Sequence, residues 1–302
     1  MIAFEYGYKI FEAEGEELMG HYELAISWLD SLGLPYSKTR FGGYRKAIYD
    51  FERRLTTDTE EEFQRTFYQF LNAHSEIVEI IRIYNDLHKF NFSDYIDQLR
   101  KVTGGQGFRN GSAKDQSRDF AFELTMAARF VRGGFAITLN NQADVIAKRE
   151  DTPKIYVECK RIKSGSKISK NISKANSQLK KRLSLDLSNK SRGFVAINVN
   201  DVVNPKNTML IVPSAAILQE YNSENLDKFA LDNEDNFKAG KFSKCLGVFC
   251  EQTDQAYLHE TERPTIANCR GVKFYMYTYS ASNDELIVNL AASLSNQHIR
   301  GQ

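Results

Sequence analysis

The chain has 302 residues, of which 42% are apolar and 26% charged, with a net charge of +1. At roughly 100–200 residues per domain this is two domains, or one large domain with an appendage. The composition excludes a disordered, collagenous or coiled-coil chain as a whole.

Residues 1–103 read as a helical region. In the first clear helix Tyr22, Ala25, Leu29 and Leu32 share a face, and Gly33 and Pro35 end it. A second helix is expected over about 43–55. A long third helix starts near Thr59, where Thr59-x-x-Glu62 forms a capping box ahead of Phe63. Its stripe of Phe63, Phe67, Phe70, Ala73, Ile77, Ile81 and Tyr84 reads as core packing. Gly104-Gly105-Gln106-Gly107, followed by Asn110-Gly111-Ser112, reads as a linker or mobile loop and divides the chain into 1–103 and 104–302.

Beyond it the pattern alternates. A helix is expected over 116–132 and strands over 135–139, 142–147 and 154–160. A long helix follows over 166–187, then a buried strand at Phe194–Val199. Pro213 opens a short helix. Gly247–Cys250 and 272–278 are further strands, and a closing helix covers 284–296. Such alternation defines an α/β domain with a mixed sheet.

Three segments carry candidate chemistry. On the helix at 116–132, Glu123 lies on an otherwise apolar face with Phe120, Ala127 and Phe130, so its charge calls for a partner; an internal pair with Arg129 or Arg132 would supply one. Asp144 interrupts the apolar run Ala143-Val145-Ile146-Ala147, where, taken alone, a turn or strand-edge aspartate is the favoured reading. In Lys154-Ile155-Tyr156-Val157-Glu158-Cys159-Lys160, Ile155, Val157 and Cys159 alternate with Tyr156, Glu158 and Lys160. By itself this Glu-x-Lys reads equally well as a solvated salt bridge on an edge strand.

The order of the three, with a basic helix after them, resembles the PD-(D/E)xK nuclease superfamily, which has a restriction-endonuclease-like fold. The resemblance covers about residues 116–200, the αβββαβ core. It departs from the family name at Ala143, where that name has proline. It implies that Asp144 and Glu158 bind Mg²⁺ or Mn²⁺, with the Cys159 backbone carbonyl as a further ligand. It also implies that Glu123 supports the metal shell and that Lys160 acts on the attacking water. The chemistry fits these residue types. Mg²⁺ takes hard oxygen ligands and keeps waters. It lowers the pKa of a bound water, and a lysine adds a positive point charge. Residues two apart on a strand lie roughly 6–7 Å apart on one face, close enough for both to reach one phosphate.

Charge is concentrated where the resemblance places the site. Residues 151–200 hold 12 Lys or Arg against 3 Asp or Glu, +9, while the rest holds 28 against 36, −8. No acidic residue occurs from Lys160 to Arg182. Lys163, Lys167, Lys170, Lys174 and Lys181 follow helical spacing with Gln178 in the same stripe, beside an apolar stripe of Ile168, Ile172, Ala175, Leu179 and Leu183. Lysines so arranged grip a phosphate backbone, although a solvated helix face has the same pattern. Some members of the superfamily use a glutamine on this helix near the metal, which makes Gln178 a candidate.

Other motifs are weaker. Arg82-x5-His88 matches the spacing of HEPN-type RNases, but Ile83 replaces the polar residue usual after the arginine. His21, His74, His259 and His298 form no metal-ligand spacing, and Cys159 is expected to be a buried, inert thiol. Four cysteines without CxxC pairing and an acidic start of the chain fit a cytoplasmic protein without a secretory signal, and no membrane segment is expected. The sequence therefore points to a metal-dependent endonuclease acting on DNA, in restriction or anti-phage defence by kinship. It is expected to be a homodimer if both strands are cut, with a partner defence protein as a further expectation. A non-catalytic nucleic-acid-binding module, an RNase or a partner-activated nuclease are the alternatives, as is a structural protein acting through its N-terminal helices.

Overall fold

The structure, a computed structural model, describes residues 2–5, 15–54, 59–108, 115–140, 143–262, 265–277 and 280–295. In chain order the elements are β1 (Ile2–Glu5), α1 (Gly15–Ser31), α2 (Arg40–Arg54), α3 (Glu60–Leu87), α4 (Ser93–Thr103), α5 (Ser117–Arg132), β2 (Ala136–Asn140), β3 (Ala143–Lys148), β4 (Ile155–Arg161), α6 (Ile168–Leu185), β5 (Arg192–Asn198), α7 (Asn200–Val203), β6 (Leu210–Val212), α8 (Ala215–Asp232), α9 (Glu234–Phe237), β7 (Cys245–Leu258), β8 (Thr265–Met276) and α10 (Ala281–Leu294). The fold is mixed α/β. The chain forms two compact units, Phe11–Thr125 and Met126–Gln297, and Met1–Ile10 joins the second. The division falls within α5, later in the chain than the glycine-rich segment.

The first unit is helical. Tyr22, Ala25 and Leu29 of α1 are fully buried, and α1 ends at Gly33, whose φ of 72° suits glycine. Thr59 and Glu62 form the reciprocal capping box at the start of α3. Phe63, Phe67 and Phe70 of α3 cluster around Phe51 of α2, with ring centroids 6.1, 5.7 and 4.4 Å away. Deeper in this unit Glu76 pairs with Arg40 at 2.9 Å and with Arg118 at 2.5 Å. Arg118 also reaches Asp115 and the carbonyls of Gln106 and Gly107. The described part of the glycine-rich segment is thus tied down rather than a free linker; Asn110-Gly111-Ser112 lies outside the described residues.

The second unit is built on one sheet in the order β1-β8-β7-β5-β4-β3-β2, with β6 beside β7. β2, β3 and β4 form an antiparallel meander. α6 then crosses over so that β5 lies parallel to β4, and β7 lies parallel to β5. Core residues alternate between the faces. Tyr156, Val195, Ile197, Val248 and Tyr275 pack under α6, α8 and α9. On the other face Phe194 meets both Phe130 of α5 and Phe249 of β7.

Several expectations change. β4 lies inside the sheet, with Ile155–Cys159 all buried, so it is not an edge strand. The helix after Pro213 is long, Ala215–Asp232. The strand expected at Gly247–Cys250 extends over Cys245–Leu258 and pairs along its length with β8. β1 and β6 were not expected.

Candidate active site

The ladder between β3 and β4 pairs Val145, Ile146 and Ala147 with Val157, Tyr156 and Ile155, and ends there. One step beyond, the Asp144 side chain replaces a backbone acceptor: the Cys159 amide donates to Asp144 Oδ2 at 2.7 Å. This bond holds Asp144 beside Glu158 and Lys160. Lys160 Nζ lies 3.4 Å from Glu158 Oε2 and 3.6 Å from Asp144 Oδ2, and donates to the Cys159 carbonyl at 2.9 Å. Asp144, Glu158, Cys159 and Lys160 are therefore brought together as expected.

Glu158 has 0% exposure, whereas the Asp144 and Lys160 side chains keep 19%. A fully buried carboxylate requires compensation, and a second cation supplies it: Arg182 of α6 contacts Glu158 Oε1. Arg182 was not singled out in the sequence. Its signal was available, because it stands four residues after Gln178 on the same helix face.

α6 is held at its middle and just past its C-terminus. Asn176 donates to the Ala239 carbonyl at 2.8 Å and to the Tyr277 hydroxyl at 2.9 Å. Past the C-terminus of α6, Asp186 accepts from Tyr156 at 2.7 Å, Ser191 at 3.0 Å and the Ser188 amide at 2.9 Å, and pairs with Lys154 at 3.2 Å. Burial would raise its carboxyl pKa, but these donors together hold it well below the usual range. α6 runs opposite to β4, so Gln178, one turn before Arg182, lies toward the Lys160 end of the strand. Gln178 Oε1 is buried without a hydrogen-bond partner among the described residues.

Lys167, Lys170, Lys174 and Lys181 are exposed, as expected. Two lysines correct the sequence pattern: Lys167 is the N-cap of α6, and Lys163 lies earlier still, in the segment after β4, and is half-buried. Glu123 is half-buried and belongs to the first unit; the site described above is made by the second unit alone. Cys159 is buried. Arg82 is buried, and the His88 ring bonds the Tyr84 carbonyl at 2.8 Å, which fits packing and capping roles. His298 lies outside the described residues.

Among the described residues no group of three or more His, Cys, Asp or Glu is gathered as a metal site. The oxygen donors at the candidate site are two carboxylates and the Cys159 carbonyl. Mg²⁺ is commonly held by one or two carboxylates, with water and phosphate completing its shell, so this set fits such an ion. Among the described residues no helix is long and apolar enough to cross a membrane. Comparison with protein-family models, curated proteins and solved structures finds no match to this chain.

Proposed function

We propose that the chain is a Mg²⁺- or Mn²⁺-dependent endonuclease hydrolysing phosphodiester bonds of DNA, with a restriction-endonuclease-like core. The observation that carries this reading is the ammonium of Lys160 set 3.4 and 3.6 Å from two carboxylates of neighbouring strands. The order α5-β2-β3-β4-α6-β5 supports it, as does the exposed lysine row on α6.

Asp144 and Glu158 would hold the cation. Its chemistry there is Lewis-acid polarisation of the phosphate and a lowered pKa for attacking water. Lys160 puts positive charge where the nucleophile and phosphate meet. Gln178 offers a buried carbonyl oxygen that can accept from a site water. Lys167, Lys170, Lys174 and Lys181 contact successive backbone phosphates without reading sequence. Each chain carries one such constellation among the described residues, so cutting both strands calls for a homodimer. The resemblance to the superfamily supports a role in restriction or anti-phage defence, with a partner protein as an activator.

One observation favours a second reading. Glu158 is already neutralised by Lys160 and Arg182, as it would be in a module that binds nucleic acid without cutting it. Supercoiled plasmid incubated with Mg²⁺ or Mn²⁺ separates the two. Nicking that is lost with EDTA, in Glu158→Ala and in Lys160→Ala supports the nuclease. DNA binding with no cutting supports the second reading, and cutting of RNA alone changes the substrate. Cutting retained in both variants overturns the site.

A further inference from the structure

Arg182 is not accounted for by the resemblance or by the lysine row. Its guanidinium contacts Glu158 Oε1, while Lys160 holds Oε2. Asp144 and Glu158 carry two negative charges, and Lys160 and Arg182 carry two positive ones. The site is therefore neutral as it stands. A divalent cation entering beside Glu158 would leave it with two excess positive charges in a partly buried pocket, so one resident cation has to withdraw. Lys160 is fixed on the same strand as Glu158 and bonded to the Cys159 carbonyl. Arg182 reaches in from α6, on a long side chain that is 17% exposed.

We infer that Arg182 is an exchangeable counter-ion of the site: it holds Glu158 in the metal-free protein and moves to the phosphate when a divalent cation takes Glu158. This rests on the metal-site reading above. Two features support it beyond the ion pair. A planar guanidinium matches phosphate oxygens in a bidentate fork, which a carboxylate-bound lysine would not. Arg182 also stands one turn from Gln178 and next to Lys181, at the edge of the exposed lysine row, so a small swing carries it from the strand to a bound backbone.

The test uses Arg182→Met and Arg182→Lys in the full chain, with Asp144→Asn as the control for metal. Mn²⁺ binding is measured by calorimetry without DNA, and DNA binding by fluorescence anisotropy in Ca²⁺. Arg182→Met is expected to bind Mn²⁺ at least about tenfold more tightly, the scale by which groups around a metal shift its affinity, and to bind DNA more weakly. Arg182→Lys keeps the competing charge but not the fork, so it should bind Mn²⁺ like wild type and DNA more weakly; it also covers the case in which Arg182→Met does not fold. Wild type binding Mn²⁺ through Asp144, with affinities for Mn²⁺ and DNA unchanged in both Arg182 variants, would overturn this inference alone. No Mn²⁺ binding by any form would overturn both the inference and the metal site.

Discussion

The backbone amide of Cys159 donates to Asp144 Oδ2 at the point where β3 and β4 stop pairing. One side chain thus closes the end of a ladder and places a carboxylate within reach of Lys160. Its two roles separate by substitution. Asp144→Asn keeps an oxygen acceptor and should retain the wild-type melting temperature while losing cleavage. Asp144→Ala orphans the amide and should cost about 1–3 kcal/mol as well. Chemical denaturation beside a plasmid assay checks both; equal stability of the two variants would mean that the amide bond contributes nothing.

Glu158 lies between two cations, and its removal leaves them facing each other. Glu158→Ala should destabilise the second unit by roughly 3–5 kcal/mol, as expected when one partner of a buried pair is removed. Adding Arg182→Met should restore part of that stability. A double-mutant cycle in urea measures the coupling, and strict additivity would show that the pair does not interact.

The exposed lysines should act through salt-dependent binding to phosphates. Replacing Lys170 and Lys174 by alanine should lower the slope of log affinity against log salt by about 0.9 for each duplex-DNA phosphate that is no longer neutralised. The fold and metal affinity should be unchanged. An unaltered slope would remove α6 from the interface.

In the helical unit, burial pushes the His74 imidazole down to about 4 from an ordinary value of 6.5. The unfolded chain therefore takes up the proton first. Stability should be full above pH 6.5, decline between 6.5 and 4 by at most about 3 kcal/mol, and show no further decline from this group below 4. His74→Phe should flatten that part of the stability profile, as followed by denaturation at stepped pH.

Gly105 has a φ of 84°, and an added Cβ would collide with Ser117 Oγ and Asp115 Oδ1. Gly105→Ala should destabilise the helical unit by about 1–3 kcal/mol. Gly43→Ala, at an open helical position, is the control and should be neutral or stabilising.

Local chemistry was legible in the sequence, and non-local pairing was not. The capping box at Thr59 and Glu62, the glycine stop at Gly33 and the alternation through Glu158 and Lys160 are short-range patterns. The length of β7 was hidden because Glu251, Gln252, Asp254 and Gln255 look like a loop. They are buried. Glu251 meets Arg129 at 3.1 Å, Arg270 at 2.6 Å and Asn198 at 3.5 Å, and Asp254 accepts from Asn222 at 3.0 Å and from Gln252. Most of these partners come from distant parts of the chain, which no local period reveals. Arg182 differs: its spacing from Gln178 is local, but a lysine-rich neighbourhood disguised an inward-facing cation.

The edge of the sheet joins segments made far apart in time. Ile2–Glu5 pairs with Lys273–Met276, so β1 leaves the ribosome long before its partner strand has been added. At about 5–20 residues per second this is a wait on the order of tens of seconds. During that time the helices α1–α4 can fold from local contacts, while β1 and the parallel strands remain open. A chain stopped short of β8 would keep its helical unit and expose unpaired strand edges. Synthesis of β8 is thus the step that closes the sheet bearing the candidate site.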